Sequence, residues 1–197
     1  MDAHKLLLHP ADPEAPEPDP AAVLKALRQG GLVGEEFSLG GRRHYYAGER
    51  FLEQIVFLGC APHVALEPPP DAGEPGTEGW GWSFCHVTLV RSPDVDFVGG
   101  DNILAPRCPR CRQTIDDWHA VVGVWRSNRT GHRCRCPGCG GESRAHELDW
   151  RQSAGFGRSF IEVWGIHNAE AVPAESLLSA LQDATGAEWR YFYYHDR

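Results

Sequence analysis

Cys108-Pro-Arg-Cys111 and Cys136-Pro-Gly-Cys139, separated by 24 residues, decide the reading of this 197-residue chain. Two cysteines three apart can grip one metal ion from a tight turn. Two such pairs supply the four ligands of a tetrahedral structural zinc site. Proline after the first cysteine presets the backbone of each turn. Glycine after the second, as in Cys139-Gly140, tolerates the left-handed conformation in which the chain leaves; in the first pair Arg112 stands there instead. One Cys-x-x-Cys alone would equally suit a redox dithiol, but the duplicated spacing points to structural Zn2+ on Cys108, Cys111, Cys136 and Cys139. Cys134 competes for a place, and only Cys136 completes the spacing to Cys139. His119, His132 and His146 lie nearby and read as surface residues.

The stretch from Ala105 to Trp150 resembles the zinc-ribbon group of small metal domains, in which two such knuckles clamp one zinc above a small antiparallel sheet. The resemblance covers under a quarter of the chain, with a spacer longer than the usual about 15–20 residues. Between the knuckles, Ala120-Val-Val-Gly-Val-Trp125 reads as a strand and Ser127-Asn-Arg-Thr-Gly131 as a hairpin turn. Residues 131–135 would return beside it.

Outside this stretch, a hydrophobic content of 42% with seven tryptophans supports a real core. No apolar run approaches a membrane span, and residues 1–10 are too weakly apolar for a secretion signal. Seven cysteines, four of them absorbed by the knuckles, fit a reducing cytoplasm better than a disulfide framework. The net charge is −8, yet residues 105–146 hold eight arginines against three acidic residues, leaving −13 on the remainder. A basic module on an acidic body could serve a polyanion; the plainer reading is a small domain solvated by arginines.

Taken in order, residues 10–20 hold five prolines and four acids and read as a mobile extended linker, so that 1–20 forms a flexible N-terminal segment. Asp19-Pro20 starts a helix that Gly30 ends, and Leu6–Leu8 is a short strand or a docking tail. Residues 32–37 and 42–46 form a hairpin around Gly40-Gly41. Residues 51–59 read as a central strand, 67–81 as a long acidic loop, and 82–90 as another strand. In that strand His86 and Thr88 face away from Cys85, Val87 and Leu89. After the knuckles come a strand at 159–167, a helix from Pro173 to Ala184 with Gly186 beyond it, and an aromatic strand at 188–195. The last three make a βαβ unit with parallel strands. The expected fold is α+β: a mixed sheet of four to six strands with a few helices. Residues 21–104 and 151–197 form the body, and 105–150 is an inserted four-cysteine zinc ribbon.

Residues 51–63 with Trp82-Ser-Phe-Cys-His86 and Cys108-Pro-Arg-Cys111 resemble a group of uncharacterised bacterial proteins of about this length. The resemblance implies a bacterial, cytoplasmic protein and no particular activity. No nucleophile elbow, phosphate loop or His-Glu-x-x-His is present. Four thiolates closing the shell argue against catalysis at the metal. Asp94 and Asp96 read as solvated turn residues. One alternative constellation is Cys60, His63, Cys85 and His86, where a thiol could meet an imidazole if two strands pair; otherwise these are buried small residues and loop histidines. The expectation is a non-catalytic zinc protein, an interaction module with a protein partner. An enzyme at the Cys60 site and a weak nucleic-acid binder through Arg107, Arg110, Arg126 and Arg129 with Trp118 or Trp125 are the alternatives.

Overall fold

The computed structural model describes residues 3–59, 64–70, 80–129 and 131–196. In chain order the elements are β1 (Ala3–Pro10), α1 (Pro20–Gln29), β2 (Val33–Leu39), β3 (Arg42–Ala47), α2 (Phe51–Gln54), β4 (Ile55–Phe57), β5 (His86–Gly99), α3 (Trp118–Ser127), β6 (Cys134–Arg135), β7 (Glu142–Ser143), β8 (Ala154–Trp164), β9 (Ala171–Pro173), α4 (Glu175–Thr185) and β10 (Trp189–Asp196). The fold is α+β. Six strands make one sheet in the order β10-β1-β8-β5-β3-β2, with every neighbouring pair antiparallel.

The Leu6-Leu7-Leu8 run explains why β1 lies inside the sheet. Alternate residues of a strand face opposite ways, and here both faces are apolar. Leu6 and Leu8 join Val87, Ile161, Val163 and Tyr193 under Val23 and Leu27 of α1 and Leu177 and Leu181 of α4. Leu7 packs on the other side with Phe160 and Phe192. Burying one such side chain contributes about 1.5–3 kcal/mol.

The segment expected to be flexible is therefore ordered over Ala3–Pro10, paired on both sides. The proline-rich stretch behind it is tied down as well. Ala11 N–H donates to Glu188 O at 2.8 Å. Glu17 accepts from Arg91 Nε at 2.7 Å and Ser159 Oγ at 2.8 Å. Glu14 pairs with Arg144. The acids that suggested a solvated linker are the groups that fasten it.

Helix punctuation is read correctly at α1, where Asp19 Oδ1 accepts from Ala21 N–H at 3.1 Å and Pro20 opens the helix. It also holds at Gly186, which ends α4 at φ +72°. Pro173, however, closes β9, and α4 begins at Glu175 after Ala174. The hairpin of β2 and β3 turns at Gly40-Gly41 as expected. Residues 51–59 are not a central strand: Phe51–Gln54 is a helical turn, and Ile55–Phe57 pairs only with β9, outside the main sheet. An apolar run this short fits either structure, and Phe51 and Ile55 are buried four residues apart on one side of a turn. β8 and β10 do run parallel to each other, but β1 lies between them. The chain's first strand occupies the gap that the βαβ unit leaves.

β5 and β8 are long enough to leave the sheet. Their register shifts between Arg91 and Asp96, where β5 carries extra residues including Pro93. A bulge of this kind bends and twists the pair. Beyond it the ends reach the free edge of β10. Asp101 N–H donates to His195 O at 2.7 Å, and Tyr193 N–H to Gln152 O at 2.9 Å. Asn102 bridges Tyr193 O and His195 N–H. The bent hairpin carries the cysteine-bearing segment and covers the exposed edge.

No helix among the described residues is long and apolar enough to cross a membrane.

Candidate metal centre

The two knuckles adopt the same backbone. Cys108 N–H donates to Gln113 O at 2.9 Å and Arg112 N–H to Cys108 O at 3.0 Å; Cys136 N–H donates to Gly141 O at 2.9 Å and Gly140 N–H to Cys136 O at 3.0 Å. Each knuckle sits where two short ladders meet their turn. Arg107 bridges Thr114 around the first, and β6 pairs with β7 around the second. Arg112 takes φ +66° where Gly140 takes +70°. Its guanidinium is anchored to Asp149 at 2.7 Å.

This geometry brings Cys108, Cys111, Cys136 and Cys139 together, their four sulfurs all within 4.8 Å of one another. Cys108 and Cys139 are 3.8 Å apart and Cys111 and Cys136 3.6 Å apart. A tetrahedron with metal–sulfur bonds of about 2.3 Å has sulfur–sulfur edges of about 3.8 Å. The four cysteines could thus hold one metal ion. None of the six described cysteines is in a disulfide.

Backbone amides prepare the sulfurs for negative charge. The N–H groups of Cys111 and Arg110 lower the Cys108 thiol to about 6. Those of Cys139 and Gly138 lower Cys136. Cys111 accepts from Gln113 N–H, but burial and the three neighbouring sulfurs outweigh that bond and raise it to about 11. Four thiols this close cannot all ionise without a cation among them, and a metal ion held there would supply it.

Cys134 stands apart. It is buried with Ile115, Val122, Trp125, Leu148 and Trp150, and burial raises its thiol. The expected strand over Ala120–Trp125 is instead α3. Trp118, Val121, Val122 and Trp125 recur at helical spacing and pack on Phe97 and Phe156 of the bent hairpin. The run of valines hid this period.

The other candidate sites fare differently. Cys85 immediately precedes β5 and packs in the core with Leu6, Leu8 and Val87, whereas His86, the first residue of β5, lies on the other face with Phe84 and Trp164. The Cys85 thiol lies 3.8 Å from Gly165 O and is pushed up to about 12 by burial and Glu170. His86 stacks on Trp164. Cys60 and His63 lie outside the described residues. Trp125 is buried at 3% exposure and Arg129 faces Asp94 and Asp96, so Arg107, Arg110, Arg126, Arg129 and Trp125 do not form one open face. Asp94 and Asp96, read as solvated turn acids, are the partners of Arg129.

A set of features was not legible in advance: the clustering of His44, His86 and Trp164 under Phe37, Trp80 and Phe84. Burial lowers His44 to about 4 and His86 to about 3. Only the pairing of β3 with β5 places them side by side. No family model, no curated protein and no solved structure matches this chain.

Proposed function

We propose that this chain is a non-catalytic zinc-binding protein in which Cys108, Cys111, Cys136 and Cys139 hold one structural Zn2+. The observation that carries the reading is the set of four sulfurs within 4.8 Å of one another, two of their pairs at 3.6 and 3.8 Å. Thiolates in a tetrahedron suit zinc, and a shell filled by protein leaves no position for substrate. Residues 105–150 are read as an inserted ribbon. Its exposed Arg110, Arg126, Arg133 and Arg135, none with an acidic side-chain partner among the described residues, would meet an acidic protein surface. Unpaired thiols and a zinc–thiolate centre suit a reducing, cytoplasmic compartment; the motif resemblance favours a bacterial protein.

Metal analysis and cobalt(II) reconstitution test the reading together. One zinc per chain and the intense visible bands of a tetrahedral cobalt–thiolate centre are expected. An iron–sulfur spectrum, or a weak octahedral cobalt spectrum, would overturn it. Nucleic-acid binding is not favoured, because Trp125 is buried and Arg129 is engaged; fluorescence anisotropy should show no complex with generic DNA or RNA below about 10 µM at physiological salt.

A further inference from the structure

A cleft of about 370 Å³ opens along the seam between the knuckles and the sheet. Its body side is formed by His9, Phe156, Arg190 and Tyr191, and its other side by Arg112 and the run from His146 to Gln152. Four non-glycine residues among those described have left-handed backbones: Arg112, Arg151, Gln152 and Ala169. Three of the four line this cleft.

Arg112 owes its conformation to the knuckle. Arg151 and Gln152 do not. They are the central residues of a turn closed by Ser153 N–H to Trp150 O at 3.0 Å, both at φ +56°. Two consecutive positive values define a type I′ turn, whose preferred sequence is Asn-Gly. Arginine and glutamine here hold a costly conformation, of the kind that persists at ligand-binding sites.

The charges around the cleft are mostly spoken for. Arg112 pairs with Asp149, and Arg190 with Glu188 at 3.2 Å. Glu147 accepts from Arg144 N–H at 2.7 Å, and Asp149 also accepts from Arg151 N–H at 3.0 Å. The Arg151 guanidinium has no acidic partner among the described residues. Trp150, Phe156 and Tyr191 also line the cleft, and His9 is held uncharged by burial.

We propose that this cleft binds a small aromatic anion: a flat ring carrying one carboxylate or phosphate group. Arg151 receives the anion, Arg190 flanks it, and Trp150 and Phe156 supply the apolar lining for the ring. The volume lies at the lower end of small-molecule sites, which suits one or two rings and excludes larger cofactors. A guanidinium offers paired donors to either kind of anion. The site is separate from the proposed zinc ion, although Arg112 rides on the first knuckle.

Titration calorimetry on the full, metal-loaded chain with phenyl phosphate, benzoate and benzamide tests the proposal, with zinc content measured on the same samples. At least one anion should bind one-to-one with Kd below about 1 mM, and neutral benzamide about tenfold or more weaker. Arg151→Gly should keep or raise the melting temperature, since glycine relaxes the turn, while weakening the anion about tenfold or more. Lys25→Ala, exposed on α1 and outside the cleft, should bind like the parent. Should Arg151→Gly fold poorly, Arg151→Gln removes the charge while keeping a side chain of similar reach. The preferred anion identifies the head group. The proposal is overturned if zinc-loaded protein binds neither anion up to about 10 mM, if benzamide binds as well as the anions, or if the folded Arg151 variant binds undiminished.

Discussion

Arg112 and Gly140 stand at the same station of two matching knuckles, at φ +66° and +70°, each donating its N–H at 3.0 Å to the carbonyl of the first cysteine of its pair. The conformation belongs to the knuckle, and the side chain must tolerate it. Gly140→Ala is expected to cost about 1–2 kcal/mol through the left-handed backbone. Arg112→Gly gains a similar relief but loses an exposed pair with Asp149 worth about 0.2–1 kcal/mol. Thermal unfolding should therefore show clear destabilisation for Gly140→Ala and a small net gain or no change for Arg112→Gly.

Cys136→Ser should abolish stoichiometric zinc, whereas Cys134→Ser should retain it. Cys134 lies in the apolar cluster with Trp125 and Trp150, so its serine variant should lose about 1–3 kcal/mol from a buried hydroxyl without losing metal. Equal zinc loss in both variants would contradict the ligand assignment.

Chelation should loosen more than residues 105–150. Phe97 and Phe156, on the bent ends of β5 and β8, pack against Trp150, and Phe156 also against Trp125. Hydrogen exchange after metal removal should therefore rise at 95–99 and 154–157 as well as in the cysteine segment. Leu6–Leu8 and Ile161–Val163, buried under α1 and α4, should stay protected. Collapse of the entire chain would show that the sheet has no independent stability.

Acid should weaken the fold before it affects carboxylates generally. Burial lowers His9 and His44 to about 4 and His86 to about 3, from an ordinary 6.5. The unfolded chain then binds more protons than the folded one. Stability is full above about 6.5 and falls as pH drops from there towards 3, by at most about 1.4 kcal/mol per pH unit per histidine. Glu17, held near 2 by the Arg91 guanidinium, adds stability above 4.5 that is lost as pH falls to 2. Urea midpoints should decline from pH 7 to pH 4, and His86→Phe should flatten that decline. A midpoint independent of pH over this range would mean that the histidines are not held neutral.

Native Cys85 should resist iodoacetamide at pH 7, because its thiol is pushed up to about 12. His86→Ala should leave its reactivity unchanged, since His86 faces the opposite side of the sheet. Alkylation faster than that of the unfolded chain would revive a nucleophile at this position.

By itself the sequence determined the parts whose chemistry is local. Cysteine spacing is a property of a single turn, so the four metal-binding candidates were legible from residues 108–139. The cap at Asp19-Pro20, the stop at Gly186 and the Gly40-Gly41 hairpin follow from the conformations those residues allow. Only the tertiary structure decided what depends on distant partners. Ala3–Pro10 becomes an interior strand because β8 and β10 leave a gap that its double-sided leucine run fills. Residues 120–125 become helix because Val122 and Trp125 find Phe97 and Phe156, a contact that outweighs the strand preference of valine. Cys85 and His86 separate because adjacent side chains point to opposite faces where the chain enters β5. The cleft at Arg151 forms where the bent hairpin meets β10. Such pairings are set by burial summed over residues far apart in the chain, and no local spacing encodes them.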